Sequence, residues 1–117
     1  MATLRILFTR LRTEEKLLKE AAERLGIPCE LQNVSDTVFG GGPFCPANDV
    51  VLARCVSHNQ NEGVAQMLET QGITVVNSSR VMGICGNKLT TSAVLERAGV
   101  PQPKFLAAFT PEGALEA

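Results

Sequence analysis

The first periodic feature of the chain is the run Leu4 to Thr9 (LRILFT), whose length and apolar content predict a buried strand. Thr13, Glu14 and Glu15 follow, and a hydroxyl cap with acids in the first turn suits free amides and the helix dipole. Leu17, Leu18, Ala21, Ala22 and Leu25 then recur at helical spacing on one face. Glu15 with Lys19 and Glu20 with Arg24 stand four apart on the side predicted to be exposed. This helix is predicted to stop at Gly26-Ile27-Pro28, where glycine can take the left-handed cap conformation and proline forbids continuation. The same joint returns at Gly72-Ile73-Thr74 and Gly99-Val100-Pro101. Between these joints the pattern predicts a strand at Asp49 to Ala53, a helix from about Asn59 to Gln71 with Val64, Ala65, Met67 and Leu68 inward, and a strand at Val75-Val76.

Glycine joints that each lead from helix to extended chain indicate repeated strand-helix-strand units, which fold onto a parallel sheet. The expected fold is α/β, a three-layer Rossmann-like, open and mainly parallel sheet. Val34 to Asn48 (VSDTVFGGGPFCPAN) reads as a long surface loop. Its three glycines resemble a phosphate loop only superficially, since neither lysine nor helix follows, and a flexible connector is expected.

At 117 residues the chain can bury roughly two thirds of its unfolded surface, enough for one folded core. A net charge of -1 and the absence of Tyr and Trp exclude a basic field for phosphodiester backbones and an aromatic platform for bases. No apolar run approaches the ~20 residues of a membrane span, and no secretory pattern opens the chain, so a cytoplasmic setting is expected. Cys29, Cys45, Cys55 and Cys85 form no CxxC pair, and His58 is the single histidine; no metal site is expected, and the thiols should be free and mostly buried.

Ligands of a parallel α/β sheet gather beyond the carboxyl ends of its strands. There the chain places Arg10 and Arg12, then Arg54, Ser57, His58 and Asn59, then Asn77, Ser78, Ser79 and Arg80. Clustered guanidinium groups suit carboxylate or phosphate, because they offer forked donors and keep their charge. Ser57 to Gln60 also has capping-box spacing, which predicts a helix start whose remaining amides favour an anion. His58 has no evident partner and is expected to be a surface or helix-start residue rather than a catalyst.

Other chemistries of such sheets fail on inspection. G-x-G-x-x-G is missing after the first strand, where Phe8 to Thr13 reads FTRLRT. A phosphoacceptor domain needs acids where Arg10 and Arg54 stand. Gly83 and Gly86 are too close for a P-loop, and Leu89 stands where Ser or Thr should follow Lys88. A lysine at a helix start opposes the dipole, which suggests another task for Lys88.

The stretch VVNSSRVMGICGNKLTTSAVLERAGVPQPKFL, Val75 to Leu106, resembles the N-terminal, pre-ATP-grasp part of RimK/LysX-type ATP-grasp ligases. Asn77, Gly86-Asn87-Lys88 and Gly99-Val100-Pro101-Gln102-Pro103 match that pattern in order and spacing, with Asn87 where aspartate is commoner. FTRLRTEEKLL and LARCVSHNQ look like the first and third strand ends of the same family. The resemblance implies a ligase of amino-acid biosynthesis, in particular lysine biosynthesis. Such a ligase uses ATP and magnesium to convert a carboxylate into an acyl phosphate, which an amine then attacks.

The family likeness further implies that Lys88 reaches a nucleotide phosphate, and that the partners are an acidic amino acid or a small acidic carrier protein. Residues 1–103 are expected to form the pre-ATP-grasp domain and 104–117 to open a central ATP-grasp domain. Phe105 to Phe109 should be a strand there, followed by a helix start at Thr110-Pro111. The chain is expected to be a piece of a protein over twice as long, inactive by itself, with ATP and magnesium held mainly by further domains. Exposed apolar surface could cause self-association. The rival readings are a free-standing α/β module that binds a small anion or scaffolds a partner, and a flavodoxin-like domain holding a phosphorylated cofactor.

Overall fold

Four parallel strands, β1 (Leu4–Phe8), β2 (Cys29–Asn33), β3 (Val50–Ala53) and β4 (Thr74–Val76), form a sheet of order β2-β1-β3-β4 in the computed structural model, which describes all residues 1–117. The chain divides into two compact units, Met1–Met82 and Gly83–Ala117. The sheet lies in the first.

Alternation along β1 tells how the layers are arranged. Ile6 and Leu7 point to opposite faces, yet both are 0% exposed, so both faces of the central strand are covered. Register places Leu7 beside Ala53, and Val51 beside Val75, on one face. There they join Ala65 and Leu68 of α2 (His58–Thr70), together with Ile73, Cys45 and Met82, in the main core. On the face of Ile6 lies α1 (Thr13–Arg24), which contributes Ala22. The result is the expected three-layer α/β sandwich with an all-parallel sheet.

All three predicted joints are Schellman caps. Gly26, Gly72 and Gly99 have φ of 70°, 76° and 68°. Ile27 N–H donates to Ala22 O (2.9 Å), Ile73 N–H to Leu68 O (3.2 Å) and Val100 N–H to Leu95 O (3.0 Å). A side chain at the glycine would strain that left-handed turn, which is why the joint could be read from composition alone.

The start of α1 departs from expectation. Arg12, not Thr13, is the N-cap, and its backbone N–H donates to the Glu15 carboxylate at 3.0 Å. Glu15, expected on the solvent side, is 0% exposed, whereas Leu17 is 55% and Leu25 74% exposed. Leu17 lies about 200° of helix rotation from Glu15, so turning the acid inward turns that leucine outward. Apolar periodicity placed Ala22 inward correctly but not Leu17 or Leu25, because the inward face is anchored by the Glu15 ion pairs.

Val34 to Asn48 opens with a short 3-10 helix (Val34–Asp36) and is tied down rather than loose. Gln71 accepts from Phe44 N–H at 2.9 Å and donates to Gly42 O at 3.4 Å. The rings of Phe39 and Phe44 stand 5.2 Å apart, both residues pack on the main core, and Cys45 is buried. Apolar anchors at both sides of the glycine triplet thus overturn the flexible-connector reading. A cavity of about 380 Å³ lies under the glycines, lined also by Gln32 and Thr37.

The short helix α3 (Ser79–Gly86) buries Met82 in the first unit's core. Glu69 holds its start, accepting from Ser79 N–H at 2.8 Å. The second unit contains α4 (Lys88–Arg97), capped by Asn87, whose side chain accepts from Thr90 N–H at 3.1 Å. It also contains α5 (Pro111–Glu116), where Thr110 accepts from Gly113 N–H at 3.0 Å and Pro111 takes the first helical position, as expected. Phe105 to Phe109, expected as a strand, has no regular structure. An extended segment becomes a strand only beside a partner that takes its backbone hydrogen bonds, and this one has none.

The cysteines are free, but only Cys45 is buried; Cys29 and Cys55 are half-buried and Cys85 is exposed. Thiol burial follows the position in the sandwich, and Cys29 on an edge strand and Cys85 near a helix end lie outside its centre. No helix is long and apolar enough to cross a membrane.

Candidate functional site

The carboxyl ends of β1 and β3 are stitched together before any charged side chain is considered. Arg54 N–H extends the ladder by donating to Leu7 O at 2.8 Å. Val56 N–H donates to Thr9 Oγ1 at 3.0 Å. From α2, Asn61 reaches back: its Oδ1 accepts from Cys55 N–H at 2.9 Å, and its Nδ2 donates to Ala53 O at 3.4 Å. The two loops that carry Arg10, Arg12 and Arg54 are therefore held in fixed register at one edge of the sheet.

Between them sits the Glu15 carboxylate. Its Oε1 accepts from Arg12 Nη2 at 2.8 Å and from Arg54 Nε at 3.2 Å. Its Oε2 accepts from the Arg12 backbone N–H at 3.0 Å and from Arg12 Nε at 3.2 Å. Each oxygen takes two donors, so the acid is fully satisfied. The Arg12 side chain, then the Arg12 backbone and Arg54, pull the Glu15 carboxyl down to about 2 against the opposing effect of burial. Hydrogen bonding to Glu15 likewise raises the Arg12 guanidinium above its ordinary range.

The arginines are not exhausted by this. Arg54 uses only Nε and Arg12 keeps Nη1 without a protein acceptor, and their side chains remain 36% and 35% exposed. Within the Arg12–Glu15–Arg54 cluster, one carboxylate against two guanidiniums leaves one surplus positive charge. Arg10 is exposed and engages in no ion pair.

Of the other expected residues, Ser57 is the N-cap of α2 and accepts from Gln60 N–H at 3.3 Å, as its spacing predicted. His58 and Asn59 occupy the first turn, where their backbone amides have no helical partner. The His58 ring stands 3.3 Å from Glu62, an i,i+4 surface pair. Burial pushes the Cys55 thiol up, which keeps it protonated and a poor nucleophile near neutral pH. Lys88 is the first residue of α4 in the second unit, exposed and without an ion pair. Arg80, in the first turn of α3, is also exposed.

The family of the LysX preATP-grasp domain matches residues 4–84, most of the chain and the whole of this edge. The chain belongs to that family. Among relatives of this pre-ATP-grasp domain, a glutamate–LysW ligase ArgX of Sulfurisphaera tokodaii is 33% identical over 106 residues, covering 91% of this chain and 38% of its own length. An alpha-aminoadipate–LysW ligase LysX of Saccharolobus solfataricus is 33% identical over 107 residues, covering 90% and 39%. The crystal structure of a RimK domain ATP-grasp protein from Sphaerobacter thermophilus superposes with a TM-score of 0.76 at 23% identity, covering 98% of this chain and 44% of that one. It supports the fold. The chain thus spans less than half the length of the proteins it matches.

Sequence reasoning missed Glu15 and Asn61. The signal for Glu15 existed: an acid at the third helical position can reach back to the N-cap amide, here that of Arg12. Nothing local marked Asn61, whose partners lie in another loop.

The linkage between Glu15 and stability can be measured. Its folded carboxyl is held at about 2, below the ordinary 4.5, so its contribution is fully present above pH 4.5 and is lost as the pH falls toward 2. Urea denaturation across that window should show the wild type losing more stability than Glu15→Gln. Parallel curves would contradict the ion-pair geometry.

Proposed function

We propose that this chain is the N-terminal domain of an ATP-dependent carboxylate–amine ligase and forms one wall of its reaction cleft. In the first unit, Arg10, Arg12, Arg54 and the amides of His58 and Asn59 receive the carboxylates of an acidic amino acid or of an acidic carrier tail; separately, Lys88 in the second unit meets a phosphate of ATP. The observation that carries this reading is the pair of guanidiniums with unused terminal donors at the sheet edge, in a family whose named relatives ligate glutamate or alpha-aminoadipate to LysW.

The chemistry starts with transfer of the terminal phosphoryl of ATP to a substrate carboxylate, which releases ADP and leaves an acyl phosphate. An amine then attacks the acyl carbon, the amide bond forms, and phosphate departs. This domain's own part is positioning. Guanidinium forks orient a planar carboxylate, and an exposed lysine at a helix start serves as a point charge for phosphate. Magnesium, which would neutralise phosphate charge, is assigned mainly to the rest of the ligase. We take residues 104–117 as the beginning of the adjoining ATP-grasp portion.

In the intact ligase, Arg54→Ala is expected to raise KM for the acidic amino acid roughly 10- to 100-fold, the worth of a charge-assisted hydrogen bond. Unchanged kinetics would remove Arg54 from the site. Purified residues 1–117 should form no amide from ATP, an acidic amino acid and an amine; product in that assay would contradict the assignment of catalysis to the rest of the ligase.

A further inference from the structure

Glu15 has no role in the reading above, yet it is the most completely engaged side chain at the site. A buried acid in the first turn of α1 could serve the fold alone, since any buried carboxylate needs its oxygens satisfied. Glu15, however, bridges two loops that carry site residues: both guanidiniums converge on Oε1, while Oε2 accepts from the Nε and backbone N–H of Arg12. Two like charges do not approach one another unaided. The shared carboxylate offsets their repulsion and fixes the plane of Arg12 through Nε and Nη2 together.

Which nitrogens are engaged also matters. Glu15 occupies both Nε donors and Nη2 of Arg12, and leaves both terminal nitrogens of Arg54 and Nη1 of Arg12 without a protein acceptor, on side chains about one third exposed. We infer that Glu15 is a positioning residue for substrate recognition: it holds Arg12 and Arg54 together so that their free terminal nitrogens form a single docking platform for one carboxylate of the substrate. This rests on the ligase reading of the site and adds a residue to it. The platform presents one surplus charge, matched to a monoanionic carboxylate. Removing Glu15 would raise the local positive charge but release the geometry, so charge and geometry predict opposite changes in affinity.

The experiment is steady-state kinetics of the intact ligase with L-glutamate and L-α-aminoadipate as probes, comparing wild type, Glu15→Gln, Arg12→Lys and Arg54→Ala. A glutamine would turn an N–H₂ group toward an arginine donor, and a lysine at position 12 keeps charge without the fork. Both variants are expected to raise KM for the accepted amino acid roughly tenfold, the loss of one oriented charge-assisted contact, with KM for ATP unchanged. If Glu15→Gln does not fold, Glu15→Asp, which keeps the charge but shortens the reach to Arg54, carries the same test; Arg12→Lys reports on the platform donor itself. A KM that is unchanged or lowered in the folded variants, while Arg54→Ala still raises it, would overturn the role of Glu15 and leave the ligase site standing. An Arg54→Ala enzyme with wild-type KM would bring down both.

Discussion

Replacing Asp49 by alanine is expected to lower the melting temperature of the domain by roughly 10–15 °C, a loss typical of breaking a buried ion pair. Asp49 lies just ahead of β3 and is buried. Its Oδ1 accepts from Thr3 N–H at 2.8 Å, and its Oδ2 accepts from Arg5 Nε at 2.7 Å. Those bonds, the backbone one first, hold its carboxyl below the usual range. Alanine would leave the Thr3 amide unpaired. It would also leave Arg5, a mostly buried arginine lying over the Phe44 ring, with only the exposed Glu30 as partner. Asparagine keeps an acceptor for Thr3 and should lose less. Thermal melts of Asp49→Ala and Asp49→Asn test this; equal melting temperatures for wild type and Asp49→Ala would show that the pair does not hold the strands.

Leu68→Ala should cost about 3–4 kcal/mol, because it deletes a fully buried side chain at the centre of the main core and opens a cavity there. Leu68 is packed among the cluster that contains Leu7, Val51 and Val75, and its carbonyl is the acceptor for Ile73 N–H in the second Schellman cap. Little room exists for the site to collapse, since the strands on one side and the cap on the other are held by backbone hydrogen bonds. The comparison is Leu17→Ala on α1, whose exposed side chain should leave stability almost unchanged. Urea denaturation of both variants decides the matter, and similar midpoints would refute the assignment of inward and outward faces.

That comparison also shows where sequence reading ran out. Leu17, Leu18 and Leu25 share a helical stripe, and hydrophobicity alone points the stripe inward; Glu15 turns it aside because a carboxylate with four donors is more favourably buried than a leucine is exposed at cost. Arg10, Arg12 and Arg54 could be assigned to one sheet edge from strand ends, since parallel topology brings alternate loops together. Their division into engaged and free donors could not, because it depends on Arg54 meeting an acid 39 residues earlier in the chain. The supposed strand at Phe105 to Phe109 failed for a related reason: strand propensity is local, but a strand is completed by a neighbour.

By itself the sequence determined the mainly parallel α/β plan, the three glycine joints and the helix starts at Ser57 and Thr110, since each follows from the backbone needs of a few consecutive residues. Only the tertiary structure decided which way α1 faces, how the loop from Val34 to Asn48 is anchored, and which guanidinium nitrogens remain for a ligand. Those features depend on charges and hydrogen-bond partners drawn from distant segments, and no local pattern records a partner that has yet to arrive.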